Sequence, residues 1–224
     1  MSRTGIGQVH SRPSPLFMAN DTLTSDSSAF THYDNGGVRY RNDFTKGERI
    51  RTVYFDTLGQ RRFDLRYRDG KQHGLGVEWY ADGRVKSLST YDLGSGFYTE
   101  YYPNGSVGAL REYEDGKWVG EYTEWWPNGM LKYRIHRDST RQVARSFHAN
   151  GTLASEGVLL DGEAPVGPWK QWYDTGVLKS VGSWRDIRAV PSRNSPSLKC
   201  GEWVYYTSTG EQESTEQHDP CPPN

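Results

Sequence analysis

The chain has 224 residues with 27 basic and 28 acidic side chains, so its net charge of −1 gives no global field that would draw it to nucleic acid or anionic lipid. Only 34% of its residues are hydrophobic while 13% are aromatic, with 15 Tyr and 8 Trp, so rings carry much of the apolar surface. With 25 glycines and few helix-favouring runs, the composition predicts an all-β fold and excludes a thick core of aliphatic side chains.

The N-terminal segment, residues 1–29, contains no apolar run of signal-peptide length and is predicted to be a flexible arm. Nowhere does the chain have an apolar stretch long enough to span a bilayer. We therefore expect a cytoplasmic protein as the sequence is written, and a periplasmic one if the chain is a trimmed mature form.

A turn-like glycine recurs along the rest of the chain at intervals of 22 to 25 residues, and the last interval is 34. The glycines are Gly36, Gly59, Gly83, Gly105, Gly129, Gly151, Gly176 and Gly210. The longer interval comes from a Ser- and Pro-rich insertion at 185–199, which is predicted to be a surface loop. A fixed period of this length indicates a repeat architecture.

Alignment on these glycines shows an aromatic or His ring four residues earlier in every repeat, mostly rings three residues earlier, and mostly aliphatic and basic side chains two and three residues later. Four of the turns are Asn-Gly, the strongest signal for a two-residue type I′ hairpin. That turn predicts that Trp126, three residues before its glycine, faces Leu131. It also predicts that Trp125 meets Lys132 on the other face.

A second turn links one hairpin to the next, at 69–70, 92–94, 115–116 and 161–162. The sequence therefore predicts an elongated single antiparallel sheet of about eight stacked hairpins over residues 30–212, followed by a polar tail at 213–224. Because such a sheet has no second layer, ladders of rings must supply its core. Trp118, Trp169 and Trp203 are expected to pack near the linking turns.

Residues 67–76, YRDGKQHGLG, resemble the signature of the MORN repeat. The segments 115–132 and 161–179 are more similar to the divergent bacterial MORN variant of the YwqK-type antitoxins and related immunity proteins. This resemblance implies a stack of hairpins that acts as a scaffold. In the bacterial group it implies binding and neutralisation of a cognate toxin, and in the eukaryotic group it implies membrane-linked scaffolding or self-assembly.

Two sets of side chains are candidates for partner binding. Glu78, Glu100 and Glu124 stand five residues before the turn glycine and are expected to form a carboxylate ladder on one face, where they would meet a basic partner or a hard cation. The alternative is a solvated polar column that discourages edge pairing and is neutralised by nearby lysines. The second set is the ring column Trp79, Tyr101, Trp125, Phe147 and Trp172, which either forms the repeat core or offers an aromatic strip to a partner.

Nothing in the sequence indicates an enzyme, a cofactor or a metal site. The six histidines have no ligand spacing, and His32 and His148, in the aromatic columns, are interpreted as structural. Glycine-rich phosphate loops and nucleophile motifs are absent from the sequence. Whether Cys200 and Cys221 are bonded stays open.

We therefore expect a non-enzymatic bacterial antitoxin or immunity protein that covers a cognate effector with one face of its sheet. The alternative is a MORN-type scaffold that self-assembles or docks on a membrane. A membrane role is not favoured, because the basic column is interrupted at Ala154 and Glu213. Nucleic acid is not favoured either, because acids are mixed into the Arg-rich first half.

Overall fold

The computed structural model describes residues 25–137, 142–160, 164–187 and 197–221, and this part of the chain is all strand and turn. The strands are β1 (Ser27–His32), β2 (Val38–Thr45), β3 (Glu48–Phe55), β4 (Arg61–Arg68), β5 (Lys71–Gln72), β6 (Gly74–Trp79), β7 (Val85–Asp92), β8 (Ser95–Tyr101), β9 (Val107–Glu114), β10 (Lys117–Trp125), β11 (Leu131–Arg137), β12 (Gln142–Phe147), β13 (Leu153–Leu160), β14 (Ala164–Trp172), β15 (Leu178–Asp186), β16 (Ser197–Tyr206) and β17 (Gln212–Gln217).

These strands form one open antiparallel sheet of seventeen strands, in which each strand pairs with the next along the chain. The short β5 and then β6 both pair with β4, so that together they form its neighbour in the sheet. Each of the eight repeat glycines lies in the turn of one hairpin, from β1–β2 at Gly36 to β16–β17 at Gly210. The predicted fold class is confirmed.

The ends of the sheet differ from the predicted boundaries. Strand β1 begins at Ser27, inside the stretch assigned to the arm, and β17 continues to Gln217, so residues 213–217 belong to the sheet. Strands β15 and β16 each take residues from the predicted 185–199 loop. Residues 1–24, 138–141, 161–163, 188–196 and 222–224 lie outside the described part, and so does most of the predicted arm.

The turns that carry the repeat glycine are not type I′. In the β10–β11 turn, Gly129 N–H donates to the Trp126 carbonyl at 2.8 Å, and Trp126 N–H donates to the Met130 carbonyl at 2.7 Å. Gly129 has a φ of 82°, whereas Asn128 is not in the left-handed region. This is a type I turn followed by a left-handed glycine that forms a bulge. Because the bulge adds one residue, Trp125 rather than Trp126 pairs with Leu131.

The asparagines have another role in these turns. Asn128 Oδ1 accepts a hydrogen bond from Met130 N–H at 3.0 Å, and its Nδ2 donates to the Ala149 carbonyl in the next turn at 2.8 Å. Asn104 and Asn150 repeat the pattern. Asparagine therefore bridges one turn to the next, which Asp or Thr at this position cannot do with an N–H group.

Type I′ turns do occur in the sheet, at the links between hairpins. Both central residues have positive φ at Lys46–Gly47, Asp69–Gly70, Leu93–Gly94 and Asp115–Gly116. The predicted links at 69–70, 92–94 and 115–116 are thus confirmed, the turn at 46–47 was not predicted, and 161–162 lies outside the described residues. The mirror-image turn matches the twist of the two flanking strands, so it needs no bulge.

In six of the eight repeats, the ring three residues before the glycine ties its repeat to the next through its polar tip. We call this set of bonds the ring-to-carbonyl ladder. Each donor bonds the backbone carbonyl of the ring that stands four residues before the glycine of the following repeat. Its bonds run from Tyr33 to Phe55, Tyr80 to Tyr101, Tyr102 to Trp125, Trp126 to Phe147, His148 to Trp172 and Tyr173 to Tyr206, at 2.6 to 3.0 Å.

The ladder explains why this column holds Tyr, Trp and His but no Phe. Only a ring with a donor at its far edge can reach a carbonyl about two strands away and satisfy it. His148 fits this rule, because its Nε2 lies 2.9 Å from the Trp172 carbonyl and must donate. The structural interpretation of His148 is confirmed.

The two faces of the sheet are defined by rows of directly paired residues, since partners across a ladder share a face and neighbours along a strand do not. Face A carries the row Tyr40, Tyr54, Phe63, Glu78, Ser87, Glu100, Ala109, Glu124, Tyr133, Ser146, Ser155, Gln171, Ser180 and Tyr205. Face B carries the adjacent row Arg41, Val53, Asp64, Val77, Leu88, Thr99, Leu110, Thr123, Arg134, Arg145, Glu156, Lys170, Val181 and Val204.

The core of this single layer lies on face A, where large rings cover small residues of neighbouring strands. A Cβ atom added to Gly157 would lie 1.9 Å from the Trp169 ring, and one added to Gly182 would lie 2.2 Å from the Trp203 ring. Trp203 is only 2% exposed. Trp169 packs against the buried cluster Ile135, Ala144 and Leu159, as do Trp118, Tyr122 and Tyr133. Rings thus supply the core, as predicted, but Trp169 and Trp203 lie at its centre rather than only near the links.

One junction between repeats has no ring-to-carbonyl bond. Strand β4 pairs there with β6 at Phe63–Glu78 and Asp64–Val77 and with β5 at Tyr67–Gln72 and Arg68–Lys71. The ladder is interrupted because Asp56 occupies the position of the ring, and its carboxylate accepts the N–H groups of Leu58 and Gln60 in its own turn.

The C-terminal strand is fixed to the sheet by a disulfide between Cys200 and Cys221, with a Cα–Cα distance of 4.9 Å. Beyond β17, Gly201 N–H donates to the Asp219 carbonyl and His218 N–H donates to the Gly201 carbonyl, both at 2.9 Å. Residues up to Cys221 are therefore attached to β16 instead of forming the free tail that the sequence predicts.

The ladder can be tested with two adjacent tyrosines. Tyr102→Phe removes the bond to the Trp125 carbonyl and is expected to lower the free energy of unfolding by about 1 kcal/mol, measured by urea denaturation. Tyr101→Phe is the matched control, because the Tyr101 hydroxyl has no hydrogen-bond partner among the described residues; equal losses in the two variants would contradict a role for the ladder.

The disulfide closes a loop with a sequence separation of 21 residues. By the chain-entropy relation, replacing both cysteines by Ala is expected to lower the free energy of unfolding by about 3 kcal/mol. The readout is the urea midpoint with and without a thiol reductant. The wild type should lose stability on reduction and the double variant should not respond; a wild-type midpoint that ignores the reductant would show that the bond does not form.

Candidate functional site

The three predicted glutamates lie in one row of face A. Glu78, Glu100 and Glu124 are on β6, β8 and β10, and Ser87 and Ala109 lie between them on β7 and β9. Since neighbouring strands are spaced by roughly 4.8 Å, consecutive carboxylates of the row stand about 10 Å apart. The predicted carboxylate ladder is confirmed, on alternate strands.

The predicted ring column lies on face B. Each ring pairs across its own hairpin with the aliphatic residue two positions after the glycine, in the pairs Trp79–Val85, Tyr101–Val107, Trp125–Leu131, Phe147–Leu153 and Trp172–Leu178. All five rings are half-buried. Their position next to the bulge makes them part of the hairpin's own packing.

The two candidate sets therefore point to opposite faces, because each glutamate immediately precedes its ring along the strand. Glu78 lines a groove on face A, whereas the adjacent Trp79 contacts the Arg61 guanidinium, 5.7 Å from its ring. A single flat partner surface cannot contact both sets. An effector that is covered by one face of the sheet can therefore contact the ring column or the glutamates, but not both.

Two of the lysines three residues after the glycines pair with the glutamates, whereas Lys179 lies 5.5 Å from the centre of the Tyr173 ring. Lys86 Nζ lies 3.5 Å from Glu78 Oε2, and Lys132 Nζ lies 3.1 Å from Glu124 Oε2. The ring nearest to Lys132 is that of Trp126, at 5.2 Å, and not Trp125 as predicted. The bulge is the cause, since it shifts the register by one residue.

Glu100 differs from the other two glutamates. The residue three positions after its turn glycine is Gly108, so its hairpin supplies no lysine. Among the described residues no basic side chain pairs with Glu100 within ion-pair distance. The centre of the row therefore carries a half-buried carboxylate that is not neutralised by its own repeat, between two that are.

A second row of face A runs beside the glutamates, from Tyr98 through Arg111 to Tyr122. The Arg111 guanidinium lies 5.7 Å from the Tyr98 ring and 5.0 Å from the Tyr122 ring, and its Nη2 donates to Tyr122 Oη at 3.3 Å. Tyr122 in turn donates its hydroxyl hydrogen to Glu124. Stacked cation, ring and carboxylate thus form one connected strip.

Burial and the Glu124 carboxylate together raise the pKa of Tyr122 to about 12, although Arg111 opposes the shift. Burial, aided by Tyr113 and Tyr98, likewise raises the pKa of Tyr91 to about 12. Both hydroxyls are protonated at neutral pH, and the hydrogen of Tyr122 is already donated to Glu124.

A groove of about 410 Å³ opens on face A beside this strip. Its floor is formed by Gly76, Ser87 and Ser89, which are buried. Its remaining lining is Leu65, Lys71, Gln72, Glu78, Tyr91, Gly94, Tyr98, Tyr113, Asp115 and Gly116. One end is closed by the ion pair of Lys71 and Asp115, whose Nζ–Oδ1 distance is 2.8 Å.

Tyr98, Arg111 and Tyr122 are not among the site residues predicted from the sequence. A signal for them was present, since Tyr98 and Tyr122 each stand two residues before a candidate glutamate and must share its face in a strand. Arg111 could be assigned only with the true register, which depends on the bulges. The described residues also contain no group of three His, Cys, Asp or Glu side chains placed to hold a metal ion.

Two segments of the chain, residues 118–138 and 165–186, match the family model of the MORN repeat variant. The first contains most of β10 and all of β11, and the second contains most of β14 and all of β15, so each match covers one hairpin. These hairpins are similar to MORN repeat variants, which supports the MORN-repeat part of the resemblance. A comparison with curated proteins gives no match. In the described ranges there is no helix long and apolar enough to cross a membrane.

The raised pKa of Tyr122 makes stability depend on alkaline pH. The folded value of about 12 exceeds the unfolded value of about 10, so the contribution of this hydroxyl is complete below pH 10 and is lost as pH rises to 12. Tyr122→Phe is expected to remove tyrosinate absorbance from the step near pH 12 and to make alkaline unfolding less steep. Loss of absorbance from the step near pH 10 instead would contradict the burial of this hydroxyl.

Proposed function

We propose that this protein is a non-enzymatic antitoxin or immunity protein that neutralises a cognate effector protein by covering it with face A. The observation that carries the proposal is the unpaired carboxylate of Glu100 at the centre of the glutamate row. A carboxylate that no basic side chain of its own chain engages is available to a cation of a partner.

The flanking glutamates support this role. Glu78 and Glu124 are held by Lys86 and Lys132, and Glu124 also accepts the Tyr122 hydroxyl. Their side chains are thereby oriented before a partner arrives, which lowers the entropy cost of binding. Tyr98 and Tyr122 add ring surface of the kind that is enriched at protein interfaces.

Face A is preferred to face B because the ring column is already engaged within its hairpins. Trp79, Tyr101, Trp125, Phe147 and Trp172 each pack on an aliphatic partner across the turn. On face B the row is charged from Arg134 to Lys170, and Arg145 there is paired with Glu156 at 2.5 Å. In this proposal the ring column stabilises the repeats and the glutamate row contacts the effector.

The Arg-rich first half does not favour a nucleic-acid partner. Arg41 pairs with Asp43, Arg51 with Asp64 and Arg62 with Asp56, at 2.7, 2.5 and 3.8 Å. Guanidinium groups that are engaged in this way are not free to neutralise phosphates. A protein with a basic surface is the better complement to face A.

The disulfide bears on where the protein works. Disulfides persist in oxidising compartments and are rare in the cytosol. We therefore place the proposed function in the periplasm, where an immunity protein would meet an incoming effector.

The decisive experiment is co-expression with the product of the neighbouring open reading frame, scoring host growth and co-purification together. Growth rescue with a stable complex supports the proposal. In that complex, Glu100→Lys is expected to weaken affinity at least about tenfold, because it places a cation against the partner's basic surface. The matched control is Glu213→Lys, an equal charge reversal on the exposed strand β17, which should leave affinity unchanged; unchanged affinity for both variants would remove the glutamate row from the mechanism.

Self-assembly is the second candidate function. Every residue of β1 and of β17 is exposed, so both edges of the open sheet offer unpaired backbone groups to another strand. A neighbour that is neither bound nor neutralised, together with a chain that sediments as a concentration-dependent oligomer, would favour this scaffold role over the antitoxin role.

A further inference from the structure

The row that contains Arg111 has a gap at its N-terminal end. In strand order from β6 to β10 the row reads Gly76, Ser89, Tyr98, Arg111, Tyr122. Arg111 fills the space between the two tyrosines and stacks on both rings. On the other side of Tyr98 the chain places only a hydroxymethyl group and a glycine, and the groove occupies that space.

The floor of the groove is shaped by the absence of side chains. A Cβ atom at Gly76 would lie 2.4 Å from Ser89 Oγ and 2.9 Å from Leu65 Cδ2, so a larger residue there would push both into the groove. Gly76 thus allows Ser89 Oγ and Leu65 to approach each other at the bottom of the groove.

Ser89 has a polar group with no partner of its own. Its residue is 7% exposed, it lines the groove, and within the described ranges its hydroxyl makes no hydrogen bond. Its neighbour Ser87, 2% exposed, differs because it is hydrogen-bonded to Tyr98. Ser89 Oγ is not one of the fully buried atoms that lack a partner, so water in the groove can solvate it, and a bound donor would take the place of that water.

The charged side chains in the lining of the groove are Lys71, Glu78 and Asp115. Lys71 is neutralised by Asp115, and Lys86, outside the lining, lies 3.5 Å from Glu78 Oε2. Glu100 follows Glu78 in the glutamate row with only Ser87 between them and has no basic partner among the described residues. The carboxylates of Glu78 and Glu100 are therefore the groups beside Tyr98 that can accept hydrogen bonds from a bound cation, Glu78 in exchange for or together with Lys86.

We propose that the groove binds one arginine side chain of the basic partner protein. That the arginine belongs to such a partner rests on the proposed function. The guanidinium stacks on the free side of Tyr98, as Arg111 does on the other side. One N–H donates to Ser89 Oγ and others donate to the Glu78 carboxylate. Arginine is favoured over lysine because its planar fork can stack and donate in two directions at once.

The test uses the full chain and three blocked tripeptides, acetyl-Gly-X-Gly-amide with X as Arg, Lys or Gln. Each is titrated into the isotope-labelled protein, and the backbone amide signals of Gly76, Ser89 and Gly94 are followed by NMR. We expect saturable shifts with the arginine peptide at a dissociation constant on the order of millimolar, binding at least about fivefold weaker with lysine, and none with glutamine. Equal shifts with all three peptides, or none with arginine at tens of millimolar, would overturn the proposal.

Two variants locate the site. Glu78→Gln keeps the shape of the side chain and should weaken the arginine peptide about fivefold, whereas Glu156→Gln on face B should leave its affinity unchanged. Ser89→Arg supplies the missing guanidinium from within the chain and should abolish binding, provided that its urea midpoint shows a folded protein. Wild-type binding in the Glu78→Gln variant contradicts the site by itself.

The outcome is independent of the co-expression experiment. Selective arginine binding with no neutralised effector would support the groove as an arginine site and reject the antitoxin role. If the protein neutralises an effector but does not bind the arginine peptide, the antitoxin role is supported and the arginine site is rejected.

Discussion

A sheet that is one layer thick cannot bury its side chains between two layers, and each of its hairpins is too small to fold alone. Every repeat must therefore be bonded to the next, and the ring-to-carbonyl ladder provides this connection. Its donors reach from one hairpin to the backbone of the following one, as Tyr102 does to Trp125. The asparagine side chains add a parallel set of bonds between the turns, and the result is a one-dimensional stack with nearest-neighbour coupling.

This coupling leaves the two faces free for different tasks. On face A, rings such as Trp169 and Trp203 lie over glycines of adjacent strands and bury the small core. Where the covering rings are tyrosines and the small residues are serines, between β6 and β10, the same arrangement produces a polar groove. The candidate site is thus a local variation of the packing rule that stabilises the whole sheet, and no separate element is needed to build it.

Much of the fold could be predicted from the sequence, because the repeat period, the turn glycines and the ring columns are all local signals. The all-β class, the eight hairpins and the row of Glu78, Glu100 and Glu124 follow from them. The register of the strands could not be predicted, because Asn-Gly occurs in type I′ turns and also in type I turns with a bulge. Only the backbone of the folded sheet distinguishes the two. The one-residue difference moved the partner of Lys132 from Trp125 to Trp126.

The separation of the glutamates from the ring column needed no structure, since consecutive residues of a strand face opposite ways. What the sequence could not show is the groove, which depends on Gly76, Ser89 and Tyr98 from three strands. It also could not show the disulfide, because two cysteines that are distant in the sequence fix no geometry. Both features depend on contacts between strands rather than on order along one strand.

The junction between β4 and the β5–β6 segment lacks a ring-to-carbonyl bond, because Asp56 stands where the ring would be and its carboxylate bonds within its own turn. Two hairpins lie before this junction and six after it. Leu65 belongs to the first block, while Gly76, Ser89 and Tyr98 belong to the second, so the groove spans the junction. A side chain bound in the groove would contact both blocks and would supply, at this one place, a connection that the ladder omits.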